Sequence, residues 1–342
     1  MGGGVPDPHR SPKVAVLGAG SWGTALAMQL LRSGSAAVLW GRNPEHVHAM
    51  QVAGCNQRFL PDVPFPEGLE LQPSMEDAVR SVDEILIAVP SHAFVDIVRQ
   101  IKPWLSPGQG ISWACKGLEP GSGHFLHEAA QQHTGKNRPM AVVTGPSFAT
   151  EVAANLPTAV TVAGTEEEYC RRIAQALHGG NFRAYTSEDI IGAELGGAVK
   201  NVLAVATGIS DGMGLGNDAR AALITRGLAE MMRLGRIMGA RAQTLTGLAG
   251  MGDLVLTSTG DLSRNRRLGL ALGAGQSVEE TVARIGQVVE GVSTAEEVWR
   301  LAERHQVEMP ISEQINGIIH KGWDPYQCLR ELLAREQKSE HA

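Results

Sequence analysis

Lys200 interrupts a run that is otherwise almost entirely small or apolar, Leu195-Gly196-Gly197-Ala198-Val199-Lys200-Asn201-Val202-Leu203-Ala204-Val205-Ala206. On a helix its neighbours at three and four residues are Gly196, Gly197, Leu203 and Ala204, so its face reads as buried. Burying an unpaired ammonium is costly, so a lysine kept there is paired or chemically used. Burial also lowers a lysine pKa, which suits it to proton transfer near neutral pH. The plainer alternative is a lysine whose head reaches the surface. Asp253, in the glycine-bracketed turn Leu248-Ala249-Gly250-Met251-Gly252-Asp253-Leu254, is a carboxylate able to hold Lys200 and favour its charged form, or simply to cap a turn. His92, after Pro90-Ser91, is the chief rival base.

A second chemistry is written into Gly18-Ala19-Gly20-Ser21-Trp22-Gly23. This G-x-G-x-x-G follows the apolar run Val14-Ala15-Val16-Leu17 and opens a helical stretch from Thr24. In that setting Gly18 makes a tight turn, Gly20 lets a pyrophosphate approach the backbone, and Gly23 lets helix and strand pack closely. The helix N-terminus then faces the anion. The second strand ends Leu39-Trp40-Gly41-Arg42-Asn43, where an NAD-only site usually carries Asp or Glu. Arg42 suits a 2′-phosphate or adenine, which favours NADPH or use of both NADPH and NADH.

Three further segments could hold an anionic or carbonyl-bearing ligand. Lys116 ends the run Ile111-Ser112-Trp113-Ala114-Cys115, at the carboxyl end of a strand, where ligands bind in parallel α/β sheets. Gly145-Pro146-Ser147-Phe148-Ala149 offers turn amides and a hydroxyl. In Ser263-Arg264-Asn265-Arg266-Arg267, Arg264 can clamp a phosphate bidentately, with Ser263 and Asn265 adding hydrogen bonds. The stretch Ile285-Gly286-Gln287-Val288-Val289-Glu290-Gly291 frames an acid between glycines and reads as a second cofactor element or a helix cap.

The elements that must position these residues follow from periodicity. Short apolar runs at 13–17, 37–40, 84–89, 110–114, 140–143, 158–162 and 182–185 read as strands, with helical patterns such as 91–104 and 122–133 between them. That alternation predicts a Rossmann-type, doubly wound, mostly parallel α/β sheet. Residues 56–68 hold Pro61, Pro64 and Pro66 and read as a loop. After Thr186 helical patterns dominate, at 192–209, 219–238, 277–285, 294–305 and 311–319, and predict an all-helical C-terminal domain. Ser293 and Thr294, three residues before Glu296 and Glu297, read as capping boxes. The expected division is a disordered extension at 1–12, a dinucleotide-binding domain at 13–190, a helical substrate domain at 191–334 and a polar tail at 335–342.

Composition excludes several classes. A net charge of −6 gives no electrostatic case for nucleic acid or a membrane surface. No stretch approaches about 20 uninterrupted apolar residues. The start lacks the apolar segment of a signal peptide, and Pro6 stands where a myristoylation signal wants Ser or Thr. Four scattered cysteines with no CxxC pair predict a reduced cytoplasmic protein without zinc.

Read in order, the segments GAGSWGTALA, VLWGRNPEH, FLPDVPFP, VPSHAF, WACKGLE, GPSFATE, LGGAVKNV, RGLAEM, GLAGMGDL, SRNRR, IGQVVEGV and VEMPI resemble bacterial-type NAD(P)-dependent sn-glycerol-3-phosphate dehydrogenases from about Lys13 to the last helices. The resemblance implies hydride transfer between NAD(P)H and dihydroxyacetone phosphate, giving sn-glycerol 3-phosphate for phospholipid synthesis. It implies Lys200 as proton donor and acceptor at the substrate C2 oxygen, with Lys116 and Asp253 positioning substrate and lysine. It assigns Gly145, Ser147, Ser263, Arg264 and Asn265 to the glycerol phosphate. It assigns Gly18, Gly20, Ser21, Trp22, Gly23, Arg42, Lys116, Ala149, Arg264, Val288 and Glu290 to the cofactor, and implies a cytoplasmic homodimer with no metal. Two rival readings are a 3-hydroxyacid or ketopantoate-type dehydrogenase and a nucleotide sensor without turnover. The first carries asparagine four residues after its lysine, where this chain has Ala204, with Asn201 directly following Lys200. A sensor has no need of a buried lysine or a phosphate clamp.

Overall fold

The computed structural model describes residues 11–334, so the readings for 1–10 and for 335–342 lie outside the described residues. The chain divides into two compact units, one formed by 11–115 and 126–193, the other by 116–125 and 194–334. The stretch 116–125, which sequence alone leaves inside the first domain, groups with the second unit.

The first unit is built on ten strands: β1 (Lys13–Leu17), β2 (Ala36–Trp40), β3 (Cys55–Asn56), β4 (Leu60–Pro64), β5 (Glu70–Gln72), β6 (Glu84–Ile87), β7 (Ile111–Trp113), β8 (Met140–Thr144), β9 (Thr158–Gly164) and β10 (Phe182–Ser187). Eight of them form one sheet in the order β10-β9-β8-β7-β6-β1-β2-β5, parallel throughout except between β8 and β9. Continuous apolar burial along Val14–Leu17 and Ile85–Ile87 suits strands covered on both faces. From β1 the chain winds one way to β2 and β5, and from β6 the other way to β7. The carboxyl ends of β1 and β6 therefore flank a topological switch point, the place where such sheets bind ligands. Leu17 pairs there with both Trp40 and Ile87.

Local sequence revises several expected elements. The proline-rich 56–68 stretch is no plain loop: β3 and β4 pair antiparallel across it, and Pro61 and Pro64 are tolerated on this short two-stranded ribbon. The three-residue β5 is too short to give a readable alternation. Helix 91–104 breaks into a 3₁₀ turn at Ser91–Ala93, a helix at Phe94–Ile101 and a second 3₁₀ turn at Lys102–Trp104, where Pro103 cannot continue the hydrogen-bond ladder.

The second unit is helical apart from its connections. Ile190–Gly212 is a 23-residue helix. It is long and apolar enough to cross a membrane, at mean hydropathy 1.3, but 94% of that window is buried inside the protein. It is a core helix, interrupted by Glu194, Lys200 and Asp211. Gly208 lets it meet the helix Arg264–Gly273 backbone to backbone: a Cβ there would lie 2.3 Å from the Arg266 carbonyl oxygen. The helix expected from Thr294 instead begins at Glu290, which puts Ser293 and Thr294 inside it rather than at a cap. The Ser293 hydroxyl donates back to the Glu290 carbonyl at 3.3 Å.

Candidate active site

In the second unit two ammonium groups meet on one carboxylate. Lys200 Nζ donates to Asp253 Oδ1 at 2.9 Å, and Lys116 Nζ donates to Asp253 Oδ2 at 2.7 Å. Lys200 also donates to Thr257 Oγ1 at 2.9 Å, and Thr257 in turn donates to Asp253 Oδ1 at 3.2 Å. The Lys200 and Asp253 side chains are 8% and 2% exposed, so these charges meet in a nearly dry setting.

Backbone geometry brings them together. Asp253 opens the helix Asp253–Thr259 directly after a π-helical turn at Leu248–Gly252, not in an open loop. Gly196 admits that turn against the long helix, since a Cβ there would lie 2.5 Å from the Ala249 carbonyl oxygen. Asp253 thus reaches Lys200 one turn further on. Thr257 is missed by sequence reading, though its spacing of four residues from Asp253 on one helix face was the available signal.

The electrostatics follow from burial. Burial pulls the Lys200 pKa down; Asp253 resists and Lys116 adds to the fall, leaving it at about 8. Burial pushes the Asp253 carboxyl up, but Lys116 and Lys200 outweigh it and hold it below the usual carboxylate range. The arrangement is a buried acid poised near neutrality beside a fixed anion.

A chain of amides extends from this cluster. Asn201 Nδ2 donates to the Lys116 carbonyl at 3.0 Å. Asn265 Nδ2 donates to Asn201 Oδ1 at 2.8 Å, and Gly291 N–H donates to Asn265 Oδ1 at 2.9 Å. The Asn265 side chain is thereby anchored through its Oδ1 and one Nδ2 hydrogen. Ser263 Oγ is likewise occupied, capping the helix Arg264–Gly273 by accepting from Arg266 N–H at 3.2 Å. Arg266 is locked onto Asp211 at 2.8 Å and Asp261 at 2.7 Å. The cluster also presents the N-terminus of that helix and Arg264. Burial lowers the Arg264 pKa and the charge of Glu290 opposes that fall. Val288 is exposed, and Val289 precedes the helix that Glu290 begins.

The first unit holds the glycine turn. Gly18 sits at φ +129°, and a Cβ there would lie 2.4 Å from the Ala88 carbonyl oxygen. A Cβ on Gly23 would lie 1.9 Å from the Gly18 carbonyl oxygen. Gly20 is different: a Cβ there would meet no protein atom within 4 Å. Gly18 and Gly23 are thus demanded by packing, and Gly20 leaves open space over the turn. Ser21–Arg32 begins with no side-chain cap, so its first amides lack that partner. Trp22 Nε1 is buried with no hydrogen-bond partner. Arg42 is exposed, directly before Asn43, which caps the helix Pro44–Ala53 by accepting from Glu45 N–H at 2.9 Å. These features fit a dinucleotide: bare amides at a helix N-terminus, room over Gly20 and a cation where an acid would reject a 2′-phosphate.

Gly145, at φ +134°, packs on β9, where a Cβ would lie 3.1 Å from the Val160 Cα. Ser147 Oγ donates to the Gly145 carbonyl at 3.0 Å, and Ala149 begins a short helix. His92 is exposed in its 3₁₀ turn, in the first unit, without the buried partners that Lys200 has.

Comparison with known proteins agrees along the whole described chain. The NAD-dependent glycerol-3-phosphate dehydrogenase N-terminal family matches residues 13–170, and the corresponding C-terminal family matches residues 189–330. A glycerol-3-phosphate dehydrogenase [NAD(P)+] of Stenotrophomonas maltophilia (strain R551-3) is 56% identical over 329 residues, 96% of each chain. One from Xanthomonas campestris pv. campestris (strain B100) is 55% identical over 337 residues, 98% of each. The crystal structure of glycerol-3-phosphate dehydrogenase from Coxiella burnetii superposes with a TM-score of 0.92 at 49% identity, covering 95% of this chain and 99% of that one. This chain belongs to the NAD(P)-dependent glycerol-3-phosphate dehydrogenase family.

Proposed function

We infer that this protein reduces dihydroxyacetone phosphate to sn-glycerol 3-phosphate with NAD(P)H, supplying glycerophospholipid synthesis. The observation that carries this reading is Lys200: buried, held by Asp253 and Thr257, with a pKa brought to about 8. A nicotinamide, when bound, supplies the hydride to the substrate C2. As the C2–H bond forms and the carbonyl π electrons move onto the oxygen, Lys200 Nζ gives that oxygen a proton, and the product leaves as the alcohol. Lys200 is left as a neutral amine and regains its proton from solvent. In the reverse direction the neutral amine takes the hydroxyl proton. Asp253 steadies the ammonium before transfer, and Lys116, on the same carboxylate, adds positive charge for the oxygen and the phosphate ester.

In the second unit the family resemblance assigns the substrate phosphate to Ser263, Arg264 and Asn265, at the N-terminus of the helix Arg264–Gly273. The same resemblance assigns Gly145 and Ser147, in the first unit, to the substrate. The glycine turn, with the amides of Ser21, Trp22 and Gly23, would hold a pyrophosphate, and Arg42 a 2′-phosphate. Family resemblance adds Lys116, Ala149, Arg264, Val288 and Glu290 to the cofactor residues, and supports a homodimer. The four cysteines, free in the structure, support the reducing cytoplasm.

The test is NADPH oxidation by purified protein with dihydroxyacetone phosphate, and with unphosphorylated dihydroxyacetone in parallel. Turnover with the phosphate ester alone is expected, and Lys200→Ala should abolish it while NADPH still binds. No turnover from folded protein that binds NADPH refutes the reading. Sedimentation velocity tests the dimer.

A further inference from the structure

Asn56 is the last residue of β3 and is fully buried, yet it carries no expected part in the chemistry. Its side chain reaches back 37 residues to the glycine turn. Asn56 Nδ2 donates to the Ala19 carbonyl at 3.1 Å and to Thr24 Oγ1 at 2.8 Å. Its Oδ1 accepts from Phe59 N–H at 3.3 Å. A carbonyl oxygen only accepts, so the amide nitrogen must be the atom facing Ala19, and both of its hydrogens are spent.

Ala19 is the residue between Gly18 and Gly20. In a trans peptide the carbonyl and the following N–H point in opposite directions. Drawing the Ala19 carbonyl inward onto Asn56 therefore aims the Gly20 N–H the other way. Thr24 N–H donates to the Gly20 carbonyl at 3.0 Å, making the first bond of the helix Ser21–Arg32. Because the same Asn56 nitrogen also holds the Thr24 hydroxyl, it fixes the turn and the first helical turn as one piece. His46 is a further neighbour: burial first, and then the charge of Arg58, hold its pKa down, while the Ala19 carbonyl works the other way.

We propose that Asn56 is a positioning residue for cofactor binding, which sets the Ala19 peptide so that the Gly20 amide and the first-turn amides present one anion seat. It acts through the turn and touches no cofactor. The proposal rests on the reading of Gly18–Gly23 as the pyrophosphate seat.

Asn56→Asp is the sharpest variant. It keeps an acceptor for Phe59 N–H, removes both donated hydrogens and sets a carboxylate against the Ala19 carbonyl. Thr24→Val, nearly isosteric, removes only the hydroxyl partner and serves if the aspartate variant does not fold. Two readouts are used: NADPH affinity by fluorescence titration, and hydrogen exchange of the ligand-free protein. Asn56→Asp should weaken NADPH binding at least tenfold and Thr24→Val about threefold to fivefold. Amides 20–24 should exchange at least tenfold faster, with β1 and β6 unchanged. NADPH affinity within twofold of wild type, or faster exchange spread evenly over the sheet, overturns the proposal. Wild-type protein that fails to bind NADPH overturns the cofactor reading itself, and the proposal falls with it.

Discussion

Lys200→Met should make this protein more stable and nearly inactive. The drop in the Lys200 pKa from 10.5 to about 8 measures how much the folded state disfavours its charge. At about 1.4 kcal/mol per pH unit, that is about 3 kcal/mol. The sign follows from proton counts. With the folded value below the unfolded one, the unfolded chain binds more protons between about pH 8 and 10.5, so stability rises with pH in that window. Below about pH 8 the full cost is present. Methionine keeps the side-chain length and removes the charge. Asp253 is not stranded, because Lys116 stays on it at 2.7 Å. A gain of about 1–3 kcal/mol at pH 7 is expected, shrinking as pH rises towards 10.5. Turnover should fall about 10²–10⁴-fold, the usual contribution of a positioned general acid. Urea unfolding of both proteins at pH 7 and pH 10 measures the difference, and titrations common to both cancel. A variant less stable than wild type at pH 7, or a difference that does not change with pH, refutes the argument that burial of this charge is what sets its pKa.

Three other perturbations separate the parts of the site. Asp253→Asn leaves two ammonium groups without their anion, so it should destabilise the protein by about 3–5 kcal/mol and move the pH dependence of reduction to lower pH. In wild-type protein, log(kcat/KM) for ketone reduction should fall with unit slope above about pH 8, as Lys200 loses its proton, while alcohol oxidation gains up to that pH. Arg42→Ala should raise the KM for NADPH at least tenfold and leave that for NADH within about twofold, as steady-state kinetics with each cofactor will show. Gly18→Ala meets both a φ of +129° and the Ala88 carbonyl, and should lose the fold at 37 °C by circular dichroism. Gly20→Ala meets no protein atom and should fold normally but bind NADPH at least tenfold more weakly.

Much of the first unit was legible because its signals are local. The alternation of short apolar runs with helical periodicity marks most of the parallel strands and their helices, and the glycine spacing marks the turn. What escaped did so for physical reasons. β3 and β5 are too short for alternation, and the proline-rich β4 passes for a loop until its partner strand is known. The helix at Glu290 starts three residues before a plausible Ser293 cap, because its position is set by packing and by the Gly291 amide bound to Asn265. In the Ser263–Arg267 cluster the residue types point to an anion site, but which side chains remain to serve it depends on their neighbours. Asp211 and Asp261 take Arg266, and Asn201 and Gly291 take Asn265.

The sequence by itself determined the family, the order of the elements and the identity of the chemical groups: a lysine in an apolar helix, a carboxylate between glycines, a glycine turn after a strand with no acid beyond it. These are properties of neighbours along the chain. Only the tertiary structure decided that Lys116, Lys200 and Thr257 converge on one carboxylate from segments up to 141 positions apart, and that Asn56 hydrogen-bonds a turn 37 positions away. Distances of a few ångströms and the loss of water set those interactions, and neither is a property of local spacing. The pKa that makes Lys200 useful belongs to the folded protein alone, because it arises from burial and from charges that the unfolded chain keeps apart.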